Sequence, residues 1–425
     1  MTKRIFQDVR QILLPLVLIA MFPAGDAESR EAKAPPETVA YVGGAWLDLS
    51  GSVPDWSVET RYARGGVFLA GRPDHVDRRI DLAGLWIVPP LSESHNHAVE
   101  GGWSRETANE LLRQGVFYYR NPSNVASEAN ANRSYWARPD TIDVTFSHGA
   151  LTGPEDHPVP LYRRLAGLYE IPMEELDGRA YHVVPDIAAL GRRWPAILGD
   201  RPDFIKIILL NSRGDDGAAS GGLTVAVARE VVKRAHAAGL TVMAHIWTAG
   251  DAATAVEIGV DELAHLPGYS WGNLPRASFV VDEDLARQIA QSGTVVNTTA
   301  VVASENDDPW QSENWQLGSI ASLQRDNLRR LLDAGAQLAL GTDQSRPTID
   351  EVDYLRALRF TDDATLLRFW IEGRTRLFPL RNLTFGPGGE ASFVALSCNP
   401  FASFDCIRTP MHLEKQGISI QESEQ

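Results

Sequence analysis

Cysteine is almost absent: the 425 residues hold two, Cys398 and Cys406. That is too few for a disulfide-built scaffold and too few for a zinc site made of thiolates. Positive charge is in deficit as well, with 40 Lys and Arg against 55 Asp and Glu and a net charge of −15. A phosphate backbone is gripped chiefly by Lys and Arg, so the balance excludes nucleic acid as a partner. No apolar run reaches the roughly 20 residues that a permanent membrane helix needs. Internal repeats and low-complexity tracts are missing too, which removes solenoid and fibrous classes. What remains, 44% hydrophobic and 22% charged, is an ordinary globular composition. At this length it predicts two or three domains or one large α/β barrel.

The N-terminus has the order of an export signal. Lys3, Arg4 and Arg10 precede the apolar stretch ILLPLVLIAMF at 12–22, and the small residues of PAGDA follow. This predicts a signal peptide over 1–27 cleaved after Ala27, with an uncleaved anchor as the alternative. Residues 28–37, acidic and Pro-containing, read as a disordered linker. The expected destination is outside the cytoplasm, in a periplasm. In such an oxidising compartment Cys398 and Cys406 either pair across CNPFASFDC or stay as two half-buried thiols.

Two textures divide the rest. Residues 38–88 run as short alternating apolar segments (VAYVGGAWLDL, GGVFLAG, RRIDLAGLWIVPP), and 376–420 return to the same texture. These ends are expected to build one small discontinuous β-sandwich. Between them, over 89–375, strands alternate with helices. Strands are expected at Ile87, 116–119, 142–146, 204–210, 240–244, 262–266, 294–297 and 337–340, and helices at 106–113, 224–238, 251–258, 282–291 and 320–334. Alternation of this kind gives a parallel sheet with helices outside, and eight units give a (β/α)8 TIM-type barrel in an α/β fold.

The chemistry-bearing residues collect at one end of that barrel. His95 and His97 form a His-x-His pair after the first strand, and on extended backbone residues two apart face the same way. Lys206 interrupts the apolar run FIKII, His245 ends LTVMAH, His265 follows DELA, and Asp343 follows LALGT. Each alone has a structural explanation, as a cap, a core histidine or a snorkelling lysine. Together they fall in or at the carboxyl ends of strands, where barrel enzymes keep their active sites. Imidazoles and a carboxylate suit zinc and similar divalent ions. A charged lysine among cations must lose its proton, and carboxylation by CO2 would make it an anion able to bridge two ions. A hydroxide held between two such ions can exist near neutral pH.

The set His95-x-His97, Lys206, His245, His265 and Asp343, in that order, resembles the binuclear metal constellation of the amidohydrolase superfamily. RAHAAGLTVMAHIWTAGDAATAVEIGVDELAHLPG and LALGTD are similar to its imidazolonepropionase-related and Xaa-Pro dipeptidase-like members, and Lys206 favours the dipeptidase-like branch. The resemblance runs from about Tyr41 to Ile418. It implies one metal on His95 and His97 and another on His245 and His265, two divalent ions (zinc expected) bridged by N6-carboxylated Lys206. Asp343 and His265 are then the catalytic residues, Asp343 as ligand and general base. Glu93, in place of Asp two residues before the first His, departs from the pattern. So do VFYYRN with Asn121, and ILLNSRGDDGAASGG, which lacks Thr-Gly-Gly. These departures touch loops that shape the substrate pocket.

Substrate contacts are expected from other strand-end loops. His148 and His157 lie in SHGALTGPEDHP, Arg120 and Arg213 could pair with a carboxylate, and Trp247 stands beside His245. The expected function is an exported metal-dependent hydrolase cleaving an amide, peptide or cyclic amide C–N bond. A lactonase or phosphoesterase on the same site, or a binding protein without turnover, is the alternative. The expected partner is a small-molecule or short peptide-like substrate. The membrane is met only through the transient signal peptide, and a homo-oligomer stays open.

Overall fold

Pro89-Pro90 decides where the terminal β-region hands over to the parallel strands, because proline has no N–H for a ladder. The computed structural model describes residues 36–51, 53–169, 171–210, 221–269, 274–304, 317–343 and 346–420. All of them but Pro36 belong to one contact unit, Glu37–Gln425. The expected signal peptide and nearly all of the linker lie outside the described residues. No helix among those described is long and apolar enough to cross a membrane.

Both ends of the chain do build one element. Thr38–Asp48 pairs antiparallel with Asp55–Arg64 and parallel with Arg78–Asp81 and Trp86–Val88. Trp86–Val88 continues antiparallel to Phe393–Leu396, which pairs with His412–Lys415 and through it with Ile418–Ser419. The result is a continuous eight-stranded sheet, where two facing sheets were expected. Its core is aromatic: Tyr41, Trp46, Phe68 and Phe393 meet edge to face at centroid distances of 5.0–6.4 Å, the arrangement that ring quadrupoles favour. Ile87 therefore belongs to this sheet, and the first parallel strand is Leu91–Glu93, after the two prolines.

The other expected strands are present as Val116–Asn121, Asp143–Phe146, Ile205–Leu210, Val242–His245, Glu262–Leu263, Val295–Asn297 and Leu338–Ala339. They fall in two parallel sheets. Leu91–Glu93 to Asp143–Phe146 make one, and the five later strands make the other, edged by Ala150–Thr152 and Tyr181–Val183. No closed sheet forms among the described residues. Asp143–Phe146 is separated from Ile205–Leu210 because Ala150–Thr152 takes that edge, pairing Leu151 with Ile207. Hydrogen bonds outside the strand ladders join the two arcs, among them Ser94 N to Leu340 O at 2.9 Å and Asp203 N to Phe146 O at 2.8 Å.

The helices outside follow their caps. In Val225–Ala237 the Thr224 side chain accepts from Val227 N, Val227, Val231 and Ala235 are buried, and Gly239 turns the chain at φ +75°. Ala249–Glu257 opens with a Thr248–Asp251 capping box. Helices Ala126–Asn132, Val159–Tyr169, Ile187–Gly199, Thr348–Leu358 and Asp363–Leu377 were not expected from the sequence. Cys398 and Cys406 are joined in a disulfide, closing the loop between them.

Candidate metal centre

One cavity of about 670 Å³ is lined by His95, His97, Lys206, His245, His265 and Asp343 together. Strand register explains how Lys206 reaches it. Ile208 pairs with His245, so Lys206 starts two residues lower on the same face of Ile205–Leu210, about 6.6 Å down at 3.3 Å per residue. Its long side chain makes up that difference, and Ile208 lines the cavity above it.

The first half of the site consists of His95, His97 and Asp343, whose ligand atoms lie within 4.8 Å of one another. Asp343 N donates to His95 O at 2.7 Å, and Asp343 sits in the left-handed region at φ +65°. That conformation is costly for a non-glycine residue and concentrates at functional sites. Asp343 Oδ1 lies 2.9 Å from His95 Nε2 and 3.4 Å from His97 Nε2. His97 Nδ1 donates to Ser123 O at 3.3 Å, which leaves a lone pair on Nε2 facing the carboxylate. Among the described residues nothing bonds Nδ1 of buried His95, and its Nε2 faces that same Asp343 oxygen. Buried polar atoms are normally satisfied, and lone pairs converging on a carboxylate oxygen are what a cation satisfies. The residues present fit a divalent ion.

Glu93 sits behind this half. Its carboxyl accepts from His95 N at 3.0 Å, Thr342 N at 3.2 Å and the Thr348 hydroxyl at 2.7 Å. It thereby ties the loop of the first strand to the loop carrying Asp343. Burial pushes its pKa up to about 8, against the pull of those donors.

The second half is Lys206, His245 and His265. His245 Nδ1 and His265 Nε2 are 2.9 Å apart, His245 Nε2 faces the Tyr269 hydroxyl at 3.2 Å, and His265 Nδ1 faces Thr299 Oγ1 at 2.8 Å. Among the described residues the Lys206 amine has only Met243 Sδ within bonding reach, at 3.8 Å. Burial lowers its pKa to about 7, against the charges of Asp343 and Glu262. Burial and then neighbouring positive groups likewise hold His95 down to about 3 and His245 well below the ordinary range. His265 is also held well below it, mainly by burial. The imidazoles are therefore neutral at pH 7, the form that binds metal. Burial opposes ionisation of Asp343, but His265, His95 and His97 beside it hold its carboxyl well below the usual carboxylate range.

The second-tier candidates separate. His157 enters the cavity and stacks on His245 at 4.7 Å. His148 does not line it. Its Nδ1 is bonded to Asn124 Nδ2 at 3.2 Å and its ring lies on Phe146. Arg120 is also corrected: it turns inward over Phe204, 4.3 Å from the ring centroid, and pairs with buried Glu262. Trp247 packs against Phe279, Ile208 and Leu210 rather than walling the cavity. Arg213 lies outside the described residues. The sequence reading missed Tyr269, Thr299 and Ser123, together with the cavity wall of Pro122, Leu161, Leu165 and Arg346. Proximity to a ligand was the available signal: Tyr269 follows His265 by four residues, through HLPGY.

No protein-family model matches the chain, and no curated protein does. Solved structures match over most of their length. A Xaa-Pro dipeptidase with methionine bound in its active site aligns with a TM-score of 0.69 at 15% identity, covering 90% of this chain and 99% of that one. An amidohydrolase aligns at 0.69 and 20% identity, covering 90% and 98%. The A. niger ochratoxinase aligns at 0.71 and 16% identity, covering 91% and 96%. The fold is the one these structures share.

Proposed function

We propose that this protein is a metal-dependent hydrolase of the amidohydrolase superfamily that cleaves an amide, peptide or cyclic amide C–N bond. One observation carries the reading: all six candidate ligands, drawn from five separate strands or the loops just after them, line a single cavity. The solved structures of like fold are supporting, since they are named for dipeptidase, amidohydrolase and ochratoxinase. In this reading the two parallel sheets are arcs of one (β/α)8 barrel, and the chain is exported before it acts.

His95, His97 and Asp343 would hold one divalent ion, His245 and His265 the other, with Lys206 between them. Bound there, such ions supply Lewis-acid polarisation of a carbonyl and a hydroxide at neutral pH. The chain's own groups do the rest. Lys206, with its pKa near 7, is substantially unprotonated, so its amine can form a C–N bond with CO2, lose one proton and become an anion. Asp343 takes the proton from the attacking water and returns it to the leaving nitrogen. Pro122, Pro158, Leu161 and Leu165 give the cavity its apolar lining.

Plasma mass spectrometry of the purified protein tests this. About two divalent ions per chain are expected, together with turnover of dipeptides, N-acyl amino acids or lactams. Absence of bound metal after incubation with zinc and bicarbonate overturns it.

A further inference from the structure

A histidine can offer a lone pair to an ion only from the nitrogen that carries no proton, so the partner of its other nitrogen decides whether it is ready. His97 has a backbone carbonyl there, Ser123 O. A carbonyl only accepts, so the proton is fixed on Nδ1 and Nε2 is free to bind. His245 and His265 have hydroxyls at the corresponding places, Tyr269 and Thr299. A hydroxyl donates or accepts as required.

This difference matters because the inner nitrogens of the two rings, His245 Nδ1 and His265 Nε2, are 2.9 Å apart and hydrogen-bonded to each other. One of them carries a proton in the metal-free protein. For both to present lone pairs, that proton must move to the outer nitrogen of its own ring. No proton enters or leaves the pair; one imidazole changes tautomer. The hydroxyl behind that ring then turns from donor to acceptor. A carbonyl in its place would hold the proton on the outer nitrogen and stop that ring from donating inward, and an apolar side chain would leave the relocated N–H buried without a partner.

We infer that Tyr269 and Thr299 are positioning residues for the second metal position, acting through His245 and His265 as the acceptors that let both rings turn their lone pairs inward. The inference rests on the metal-dependent reading above. The backbone supports it at both residues. Gly268, at φ +93°, makes the turn that lays the Tyr269 ring 4.5 Å from the His265 ring. A Cβ there would come 2.7 Å from Leu323 Cδ2. Thr299 is held at φ +38°, where a β-branched residue is strained, and its hydroxyl lies 2.8 Å from His265 Nδ1.

The test is a zinc titration of the metal-free full chain in bicarbonate buffer, followed calorimetrically and against a chromophoric chelator. The wild type is expected to bind zinc in two resolved steps, the tighter lost in His97→Ala and the weaker in His245→Ala. Tyr269→Phe keeps the ring and removes the acceptor. With Thr299→Val, it is expected to weaken the second step by about 10- to 100-fold. The first step should stay within about threefold. Thr299→Ser, which restores the hydroxyl, should restore the second step. An unchanged second step in both variants, equal weakening of both steps, or no rescue by serine overturns the inference. A wild type that binds one zinc overturns it while leaving a mononuclear hydrolase standing. A wild type that binds none removes the metal-dependent reading itself.

Discussion

The two halves of the centre differ in what stands behind their histidines. In the half made by His95, His97 and Asp343, a carbonyl fixes one ring and the other has no partner on Nδ1, so the Nε2 nitrogens and a carboxylate oxygen converge. In the half made by His245, His265 and Lys206, every imidazole nitrogen is already hydrogen-bonded. The first half is preset for a cation; the second is self-satisfied and must rearrange. Equal numbers of ligands do not make equal sites, because the free energy of binding an ion includes the bonds its ligands give up.

Asp343→Asn strikes the preset half hardest. It removes the carboxylate that faces both His95 and His97 and the group proposed to move the proton. General acid–base groups contribute 10²- to 10⁴-fold, so turnover should fall about a thousandfold or more. The far-ultraviolet circular dichroism should stay that of the wild type. Turnover within tenfold of wild type would remove Asp343 from the chemistry and with it the distinction between the halves.

How much of this was legible in the sequence depends on which kind of signal each residue leaves. Lys206, His245 and His265 stand in or directly after short apolar runs, and a polar residue in such a run is conspicuous. Ile87 was misassigned because three apolar residues before Pro-Pro look the same in either sheet; only pairing with Phe393–Leu396 decides. Asp363–Leu377 had a readable start, Asp362 capping Thr365 N, whereas Thr348–Leu358 begins after Pro347 without a side-chain cap. His148 and His157 stand nine residues apart, on either side of the short strand Ala150–Thr152. Nothing in the composition of that stretch says that one faces the cavity and the other lies on Phe146. Partner identity is the least legible of all. That Ser123 offers a carbonyl and Thr299 a hydroxyl is a matter of tertiary placement, on which the contrast between the halves turns.

Arg120→Met probes what lies beneath the adjustable half. Arg120 and Glu262 form a buried pair, and Glu262 also accepts from Asn297 Nδ2 at 3.3 Å. Removing the arginine leaves the carboxylate uncompensated three residues before His265. Breaking a buried pair from one side costs about 3–5 kcal/mol, so urea unfolding should show a loss of that order. A loss under about 1 kcal/mol would mean that the second half does not depend on this pair.

Glu351→Gln gives the smallest and most specific effect. Glu351 accepts from Ala300 N at 2.9 Å and Val301 N at 2.7 Å, bracing the turn just after Thr299 and so the wall behind His265. Burial raises its pKa from 4.5 to about 7, against the pull of these donors. Between those values the folded state holds a proton that the unfolded state has released. The contribution of Glu351 to stability is therefore fully present below about pH 4.5 and is lost as pH rises through 7. The limiting slope is about 1.4 kcal/mol per pH unit. Unfolding of the metal-free protein from pH 5 to 7 should show the wild type losing stability relative to Glu351→Gln as pH rises. The glutamine keeps the shape, one acceptor oxygen and no titration. Parallel curves for the two proteins would place the proton elsewhere and leave the brace behind the adjustable half as geometry alone.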